Sequence, residues 1–491
     1  MTRLNQYTLD SVPADVQKPG YDFLQVKPGI IHIGIGAFHR AHQAVFTDRV
    51  LEQFGGDWGI IGGDLRSGRV RDQLDPQNGL YSVVVRDNDE KHIQIVGSVV
   101  SECVGPEYPA HVVEMLADDK IKIISMTVTE KGYCHDPATG CLNVRHPHIQ
   151  HDLKNIDSPK STPGYIVAAL KKRMENGVKS PTLLSCDNLP NNGKVLEKVI
   201  LHFAGLHDKN LEAWIKANTT FPCTMVDRIV PATTEEDLSA LEEHLGMRDE
   251  GMVTTEPFIQ WVIEDNFCNG RPPWEKVGAL MVEDVEVFEH MKLRLLNGSH
   301  SLLAYLGYLA GCETVSDVMA EPAFVKLCEI FMDREAGQTI APPADFDIAE
   351  YKRQLRDRFA NRGLKHRTWQ IAMDGSQKVP QRWLDTLRDQ LRGDGNIDVI
   401  CLGVAAWIRY VSGVDEQGAA IDVRDPLASK LRKLCEANIG NPAALVKSIV
   451  GIPQVFGQDL PGNTIFIKGV THWLERLCEL GALATVRKYF R

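Results

Sequence analysis

The chain has 491 residues, enough for two large domains or about three of ordinary size. With 43% hydrophobic and 24% charged residues, its composition excludes collagen-like, disordered and disulfide-scaffold classes. A formal net charge of −11 excludes a general binder of nucleic acid or anionic membrane, since both need a basic surface. A local basic pocket for a small anion stays open.

Residues 1 to 28 are polar, with Pro13, Pro19 and Pro28, and read as an arm laid over the surface. The run Gly29-Ile30-Ile31-His32-Ile33-Gly34-Ile35-Gly36 is apolar, β-branched and ends in glycines. A helical stretch over Ala41 to Glu52 follows. Strand, glycine turn and helix open a βαβ unit. Trp58 to Leu65 reads as the second strand. Further strands are expected at Leu80 to Val85, His92 to Val96, Ile121 to Val128, Thr182 to Ser185 and Thr224 to Val230. Helices are expected at Ala110 to Ala117, Gly164 to Asn176 and Gly193 to Ala204. The alternation predicts an α/β Rossmann-like domain over residues 1–285, with a mainly parallel sheet covered on both faces. From residue 286 to 491 the pattern becomes mainly α-helical, with segments at 286–310, 315–333, 348–360, 380–392, 399–412, 425–437, 442–450 and 466–488. The stretch Ala336 to Phe346, with Pro342 and Pro343, is expected to be a loop in this second domain.

Eleven cysteines are scattered without a C-x-x-C pair. They read as reduced thiols of a cytoplasmic protein. The first residues hold no apolar signal segment, and no apolar run approaches the roughly 18 residues of a membrane span.

Gly34-x-Gly36 after a strand is the first half of a dinucleotide fingerprint. Its first glycine allows a tight turn and its second lets backbone approach a pyrophosphate. The third glycine is missing, and His39 stands in its place. Asp64, at the end of the second strand, is placed to hold a ribose diol. Arg66, Arg69 and Arg71 follow it and either meet a 2′-phosphate or line a solvated loop.

The segment from Phe288 to Ser301 holds the strongest local signal. At about 100° per residue, with Lys292 at zero, Glu289 falls near 60°, His300 near 80° and Asn297 near 140°. These groups share one broad side with Leu293 and Leu296. They form either a buried polar network or a site. A lysine in such surroundings loses solvation, so its pKa should fall toward neutrality and make it a usable acid or base. Ser185-Cys186-Asp187-Asn188, directly after an apolar strand, is a second polar cluster, with Asn191 or Asn192 expected to cap the next helix. Cys134, His135, Cys141, His146, His148 and His151 invite a zinc reading, but their spacing matches no usual ligand pattern. No metal is expected.

Taken together, these segments resemble the polyol-specific long-chain dehydrogenase family, which contains mannitol 2-dehydrogenases and fructuronate reductases. The resemblance runs over about residues 28 to 480. It is carried by Gly34-Ile35-Gly36-Ala37-Phe38-His39-Arg40-Ala41-His42, Thr127-Val128-Thr129-Glu130-Lys131-Gly132-Tyr133, Ser185-Cys186-Asp187-Asn188, the stretch Phe221 to Pro231, and Lys292-x4-Asn297-Gly298-Ser299-His300. It implies an NAD-dependent oxidoreductase with no metal. The implied catalytic groups are Lys292 as acid/base, Asn188 and Asn297 as polarising amides, and His300 near the substrate. Glu289 and Glu130 are implied for proton passage or as site acids. Gly34, Gly36, Ala37, Phe38 and Asp64 would hold the cofactor. Lys378 and Asp227 would meet the substrate.

Two departures point away from mannitol. Gly68 and Arg69 stand where mannitol enzymes carry a Glu-Asp pair, so the choice of NAD over NADP is less firmly set. Gln370 stands where they carry an arginine. His366 to Lys378 and Phe258 to Phe267 instead resemble the fructuronate reductase branch. That branch implies interconversion of fructuronate and D-mannonate, and the segment offers Lys378 and Arg367 as cations for the carboxylate, with Arg367 alternatively capping a helix or pairing with Asp374. Fructose/mannitol, tagaturonate/altronate and a non-catalytic sugar-acid sensor are the alternatives. A monomer or weak oligomer is expected.

Overall fold

The computed structural model describes residues 2–136, 139–343 and 346–490. The chain forms two compact units, Met1–Glu286 and Val287–Arg491.

The first unit is built on a five-stranded sheet. In chain order the strands of this unit are β1 (Pro28–Ile33), β2 (Gly59–Asp64), β3 (Tyr81–Asp87), β4 (Glu90–Val96), β5 (Val99–Val104), β6 (Ile123–Met126), β7 (Thr182–Ser185), β8 (Thr224–Asp227), β9 (Val253–Thr255), β10 (Gln260–Glu264) and β11 (Leu280–Val282). The main sheet runs β5-β2-β1-β6-β7, all parallel. Counted along the sheet's own strands this is the order 3-2-1-4-5, the doubly wound dinucleotide-binding arrangement, which reverses between β1 and β6. Side chains alternate as a pleat requires. Ile31, Ile33, Ile124, Met126 and Leu183 pack under the helices Pro109–Ala117, Thr162–Glu175 and Asn192–His207. Ile30, Ile60, Ile123 and Leu184 face the helix Gln43–Phe54 and Trp261.

Three expectations are corrected here. Leu80 to Val85 and His92 to Val96 do not join the parallel sheet. They form the hairpin β3-β4, which with β9 makes a separate sheet. Only Asn88 and Asp89 connect them, and a link that short cannot make a parallel crossover. Asn88 takes the left-handed conformation such a turn needs, at φ 51°. The strand at Thr224 likewise sits in a small mixed sheet, antiparallel to β10. The main sheet takes β5 instead. Thirdly, the N-terminal arm is not merely laid on the surface. Leu4, Val12 and Val16 are buried against Leu80, Val84 and Ile93, and Gln17 N–H donates to the Ile93 carbonyl at 2.9 Å.

The second unit is helical, as the pattern predicts. Its centre is the helix Gly298–Leu309, in which every residue but Tyr308 is buried. It packs on Asp398–Val411, which packs in turn on Thr464–Leu480. A helix buried all round has no solvent face to offer its polar residues. Ser299, His300 and Ser301 are therefore inside of necessity. The expected loop from Ala336 to Phe346 starts differently: a π-helical turn covers Phe331–Ala336 and a 3-10 turn covers Gly337–Thr339. Positions 344 and 345 lie outside the described residues.

Candidate active site

The turn after β1 has the shape its glycines imply. Gly34 sits at φ 95°, and a Cβ there would lie 2.3 Å from the Thr127 carbonyl oxygen. Only glycine fits. Gly36 has an ordinary φ of −77°, and a Cβ there would meet nothing nearer than the Gly34 carbonyl at 3.9 Å. Its side-chain position opens onto free space, so a ligand's backbone-hugging group can come close. Ala37 and Phe38, which begin the short helix Ala37–Ala41, are half-buried beside it. The turn lies at the carboxyl end of β1, at the point where strand order reverses. Open α/β sheets bind ligands there, and the residues fit a dinucleotide pyrophosphate.

Below this turn, His39 occupies the missing third glycine and stacks on His32, with ring centroids 3.5 Å apart. Both rings are buried. Burial holds His32 neutral, with its pKa lowered to about 3. His39 is also pushed well below the usual range, by burial first and by neighbouring His32 and His42 next. His32 bridges Ser125 Oγ and Thr127 Oγ1, each at 2.8 Å.

Asp64 closes β2 and accepts from the N–H groups of Arg66 at 2.8 Å and Ser67 at 3.0 Å. This anchors its carboxylate in a tight turn beside the glycine loop. Of the three arginines, Arg71 is occupied by Glu107 and Asp72 at 2.6 and 2.8 Å. Arg66 and Arg69 are exposed.

At the carboxyl ends of β6 and β7 one carboxylate organises the polar cluster. Asp187 accepts from Val128 N–H at 3.0 Å, Thr129 N–H at 2.8 Å and the Tyr133 hydroxyl at 2.8 Å. Thr129 stands at φ 64°, a costly conformation for a β-branched residue, and the Asp187 bonds hold it there. The same bonds fix Glu130, half-buried next in the chain, relative to exposed Asn188. Asp187 is the residue that sequence reasoning passed over. Its place between a strand end and Asn188 was the available signal. Asn191 and Asn192 depart from expectation. Asn191 starts the helix in the left-handed conformation at φ 51°, with no side-chain cap. The Asn192 amide instead ties the Asp187 carbonyl to Thr224, at 2.9 and 3.0 Å. Asp227, buried, is the last residue of β8.

In the second unit, Lys292–Asn297 is not α-helix but a π-turn. Gly298 N–H reaches back to the Leu293 carbonyl, one residue farther than in an α-helix. A second π-turn, Pro380–Leu384, packs against it. Pro380 cannot donate inside its helix, which favours the wider coil. That second turn donates to carbonyls at the end of the first: Arg382 Nη1 to the Asn297 carbonyl at 3.3 Å, and Trp383 Nε1 to the Gly298 carbonyl at 3.0 Å. Lys292 and Asn297 are both buried, and Glu289 is half-buried one turn earlier.

His300 stacks on Phe359 at 5.3 Å and meets His366 edge-on at 4.7 Å. It is held neutral, well below its ordinary pKa, by burial and then by His366, Arg382, Arg358 and Lys378. Burial lowers His366 to about 4 and Lys378 to about 8. Lys378 Nζ donates to the Ile371 carbonyl at 3.2 Å. Thus Lys292, Asn297 and His300 are buried in the second unit, and Lys378 is half-buried there. Arg367 does not: it is 62% exposed, faces Glu313 at 3.6 Å rather than Asp374, and begins the helix Thr368–Ala372. Among the described residues, no group of three or more His, Cys, Asp or Glu side chains is arranged to hold a metal, and no helix is long and apolar enough to cross a membrane.

A doubly wound dinucleotide fold joined to a helical unit with a buried lysine–asparagine–histidine set defines an oxidoreductase. Family models agree. The mannitol dehydrogenase Rossmann domain matches residues 28–276, and the mannitol dehydrogenase C-terminal domain matches residues 284–478. The chain belongs to the mannitol dehydrogenase family. It is similar to D-mannonate oxidoreductase of Escherichia coli (strain K12), at 48% identity over 95% of this chain and 96% of that protein. It is similar to mannitol 2-dehydrogenase of Aspergillus terreus, at 38% identity over 94% and 93% of the two chains. Among solved structures, the ternary complex of Pseudomonas fluorescens mannitol 2-dehydrogenase with NAD and D-mannitol matches with a TM-score of 0.90, at 37% identity and 99% coverage of each chain. The protein is an oxidoreductase acting between an alcohol and a ketone.

Proposed function

We propose that the protein interconverts a six-carbon keto-acid and its hexonate, fructuronate and D-mannonate first, with NAD(H) as cofactor and without a metal. The observation that carries the substrate is the match to D-mannonate oxidoreductase, closer in identity than the match to mannitol 2-dehydrogenases and extending over nearly the whole of both chains. NAD is supported by the NAD complex of the Pseudomonas fluorescens enzyme and by the open space at Gly36. Gly34, Gly36, Ala37 and Phe38 would hold the pyrophosphate and Asp64 the ribose. The bound nicotinamide supplies the hydride in reduction and takes it in oxidation.

The side chains supply the rest. As negative charge grows on the ketone oxygen, Asn188 and Asn297 donate amide N–H groups to it. Protonated Lys292 donates its Nζ proton to the same oxygen. In oxidation, neutral Lys292 removes the alcohol proton. Glu289 and Glu130 pass that proton on, and His300 orients the substrate. Lys378 meets the carboxylate, and Asp227 a hydroxyl.

The second reading, mannitol 2-dehydrogenase, is favoured by the fold match to the D-mannitol complex. One assay separates them: kcat/KM for fructuronate, tagaturonate and fructose, each with NADH and with NADPH. Fructuronate with NADH should lead. A lead for fructose would install the mannitol reading. A lead for NADPH would mean that exposed Arg66 and Arg69 outweigh Asp64.

A further inference from the structure

Two half-buried cations of the second unit stand close together without an ion pair among the described residues. Lys378 and Arg382 are four residues apart, one in the helix Gly375–Val379 and the other in the π-turn that continues it. Residues at that spacing share a face of a helix. Both are desolvated: burial lowers Lys378 to about 8 and Arg382 to about 10, and each cation's field reaches the same histidine, His300. Lys378 also feels Asp374 and Asp425. Yet neither cation forms an ion pair among the described residues. The only side-chain bonds of Lys378 and Arg382 there are to neutral oxygens, those of Ile371, Asn297 and Ser301.

Cations drawn partly out of water are normally paired, because an unpaired one loses hydration for nothing. Two of them, facing two neutral histidines, form a place prepared for an anion. The details fit a carboxylate. Arg382 commits only Nη1 to the protein, to the Asn297 carbonyl and to Ser301 Oγ at 2.8 Å. Those bonds orient the guanidinium and leave its Nε–Nη2 edge without a partner among the described residues. Two parallel N–H groups on one edge are what a carboxylate accepts bidentately. Lys378 has donors left over and adds a point charge.

We propose that Arg382 is a specificity-determining residue: with Lys378 it forms a two-cation receptor for the substrate carboxylate and so selects keto-acids over neutral ketoses. This rests on the keto-acid reading above. Selection works in both directions. A carboxylate pairs both charges, whereas a hydroxymethyl group in its place covers both and leaves them unpaired. Sequence reasoning, which looked to Arg367 for the second cation, had the i,i+4 spacing of Lys378 and Arg382 as its signal.

The test compares the full-length wild type with Arg382→Gln, Arg382→Lys and Lys378→Met. The readouts are kcat/KM for fructuronate and fructose with NADH, and the Tm shifts given by D-mannonate and by NAD. Arg382→Gln should lose at least about tenfold more on fructuronate than on fructose, mainly through KM. It should lose the D-mannonate Tm shift and keep the NAD shift. Arg382→Lys, which keeps the charge but not the edge, should fall between; it carries the test alone if the glutamine variant does not fold. Equal proportional losses on both sugars, or a retained D-mannonate shift, would overturn the role of Arg382 and leave the keto-acid reading standing. A wild type that prefers fructose would overturn both.

Discussion

Lys292 and Asn297 are the first and last residues of a single π-turn. In an α-helix, residues five apart point well away from each other. The i→i+5 bonding of a π-turn brings the fifth residue back toward the first. An expectation built on 100° per residue therefore sets Asn297 too far round from Lys292. One short segment thus carries a buried lysine and a buried asparagine, the pair that the proposed mechanism uses.

If Lys292 is the acid/base, Lys292→Ala should lower kcat by at least about 10²-fold. NADH affinity, measured by fluorescence titration, should hardly change, because the glycine turn belongs to the other unit. A variant that keeps most of its activity would remove Lys292 from the mechanism.

The two glycines of the turn should fail differently. Gly34→Ala forces a Cβ onto the Thr127 carbonyl at a left-handed backbone, a strain of about 1–3 kcal/mol or more, so Tm and NADH affinity should fall together. Gly36→Ala meets no neighbour. It should fold with a wild-type Tm and bind NADH poorly, because the methyl group fills the space a pyrophosphate needs. Thermal melts alongside titrations check both.

Lys378 gives a pH signature. Burial first, and the field of Arg382 next, lower its pKa to about 8, against the opposing pull of Asp374 and Asp425. It is charged below that pH and neutral above it, whereas a sugar carboxylate is charged on both sides. KM for fructuronate should therefore climb as pH rises through and beyond 8, while KM for fructose stays flat. The window shifts upward in the complex, since the carboxylate favours the charged lysine. KM measured from pH 6.5 to 9.5 in one buffer system at constant ionic strength decides it; a flat fructuronate profile would exclude Lys378 as the carboxylate partner.

Asp187→Asn should damage both folding and turnover. An amide can accept from only some of the three donors that converge on the carboxylate, and it turns its own N–H groups toward another. Leaving one buried donor unsatisfied costs about 1–3 kcal/mol. Thr129 would relax from φ 64°, and Glu130 and Asn188 would lose their fixed relation. Tm should drop, and kcat should drop by more than the unfolded fraction explains. Wild-type kcat in a destabilised variant would show that Asp187 serves the fold alone.

Much of this molecule was legible in its sequence. The strands at 28, 59, 123 and 182, and the helices after them, are marked by apolar runs bounded by glycine, proline or asparagine. Long ordered motifs fixed the family. What stayed hidden is non-local. Val99–Val104 carries Ser101, Glu102 and Cys103 among its valines, and only pairing with β2 makes it a strand. The hairpin β3-β4 looked like the sheet because its residues have the same pattern; the two-residue link was the clue. The π-turn at Lys292–Asn297 has no compositional mark, and the donors that reach the carbonyls at its end, from Arg382 and Trp383, come from a distant part of the chain. Arg367 was plausible by charge and by neighbourhood, and its exposure could not be read from either.

The histidine beneath the glycine turn has a consequence of its own. Each hydroxyl around it has one hydrogen to give. Ser125 gives its hydrogen to the Gln43 side-chain oxygen at 2.9 Å, so His32 must donate from Nδ1 to Ser125, and its Nε2 must receive the hydrogen of Thr127. One direction of polarity then runs from Thr127, whose Oγ1 lies 2.8 Å from the carbonyl of the first glycine, through β1 and β6 to the helix that carries Gln43. A change at Gln43, remote in sequence from any ligand, would reach the cofactor turn by reversing or breaking that relay of hydrogens, with no atom of the turn itself replaced.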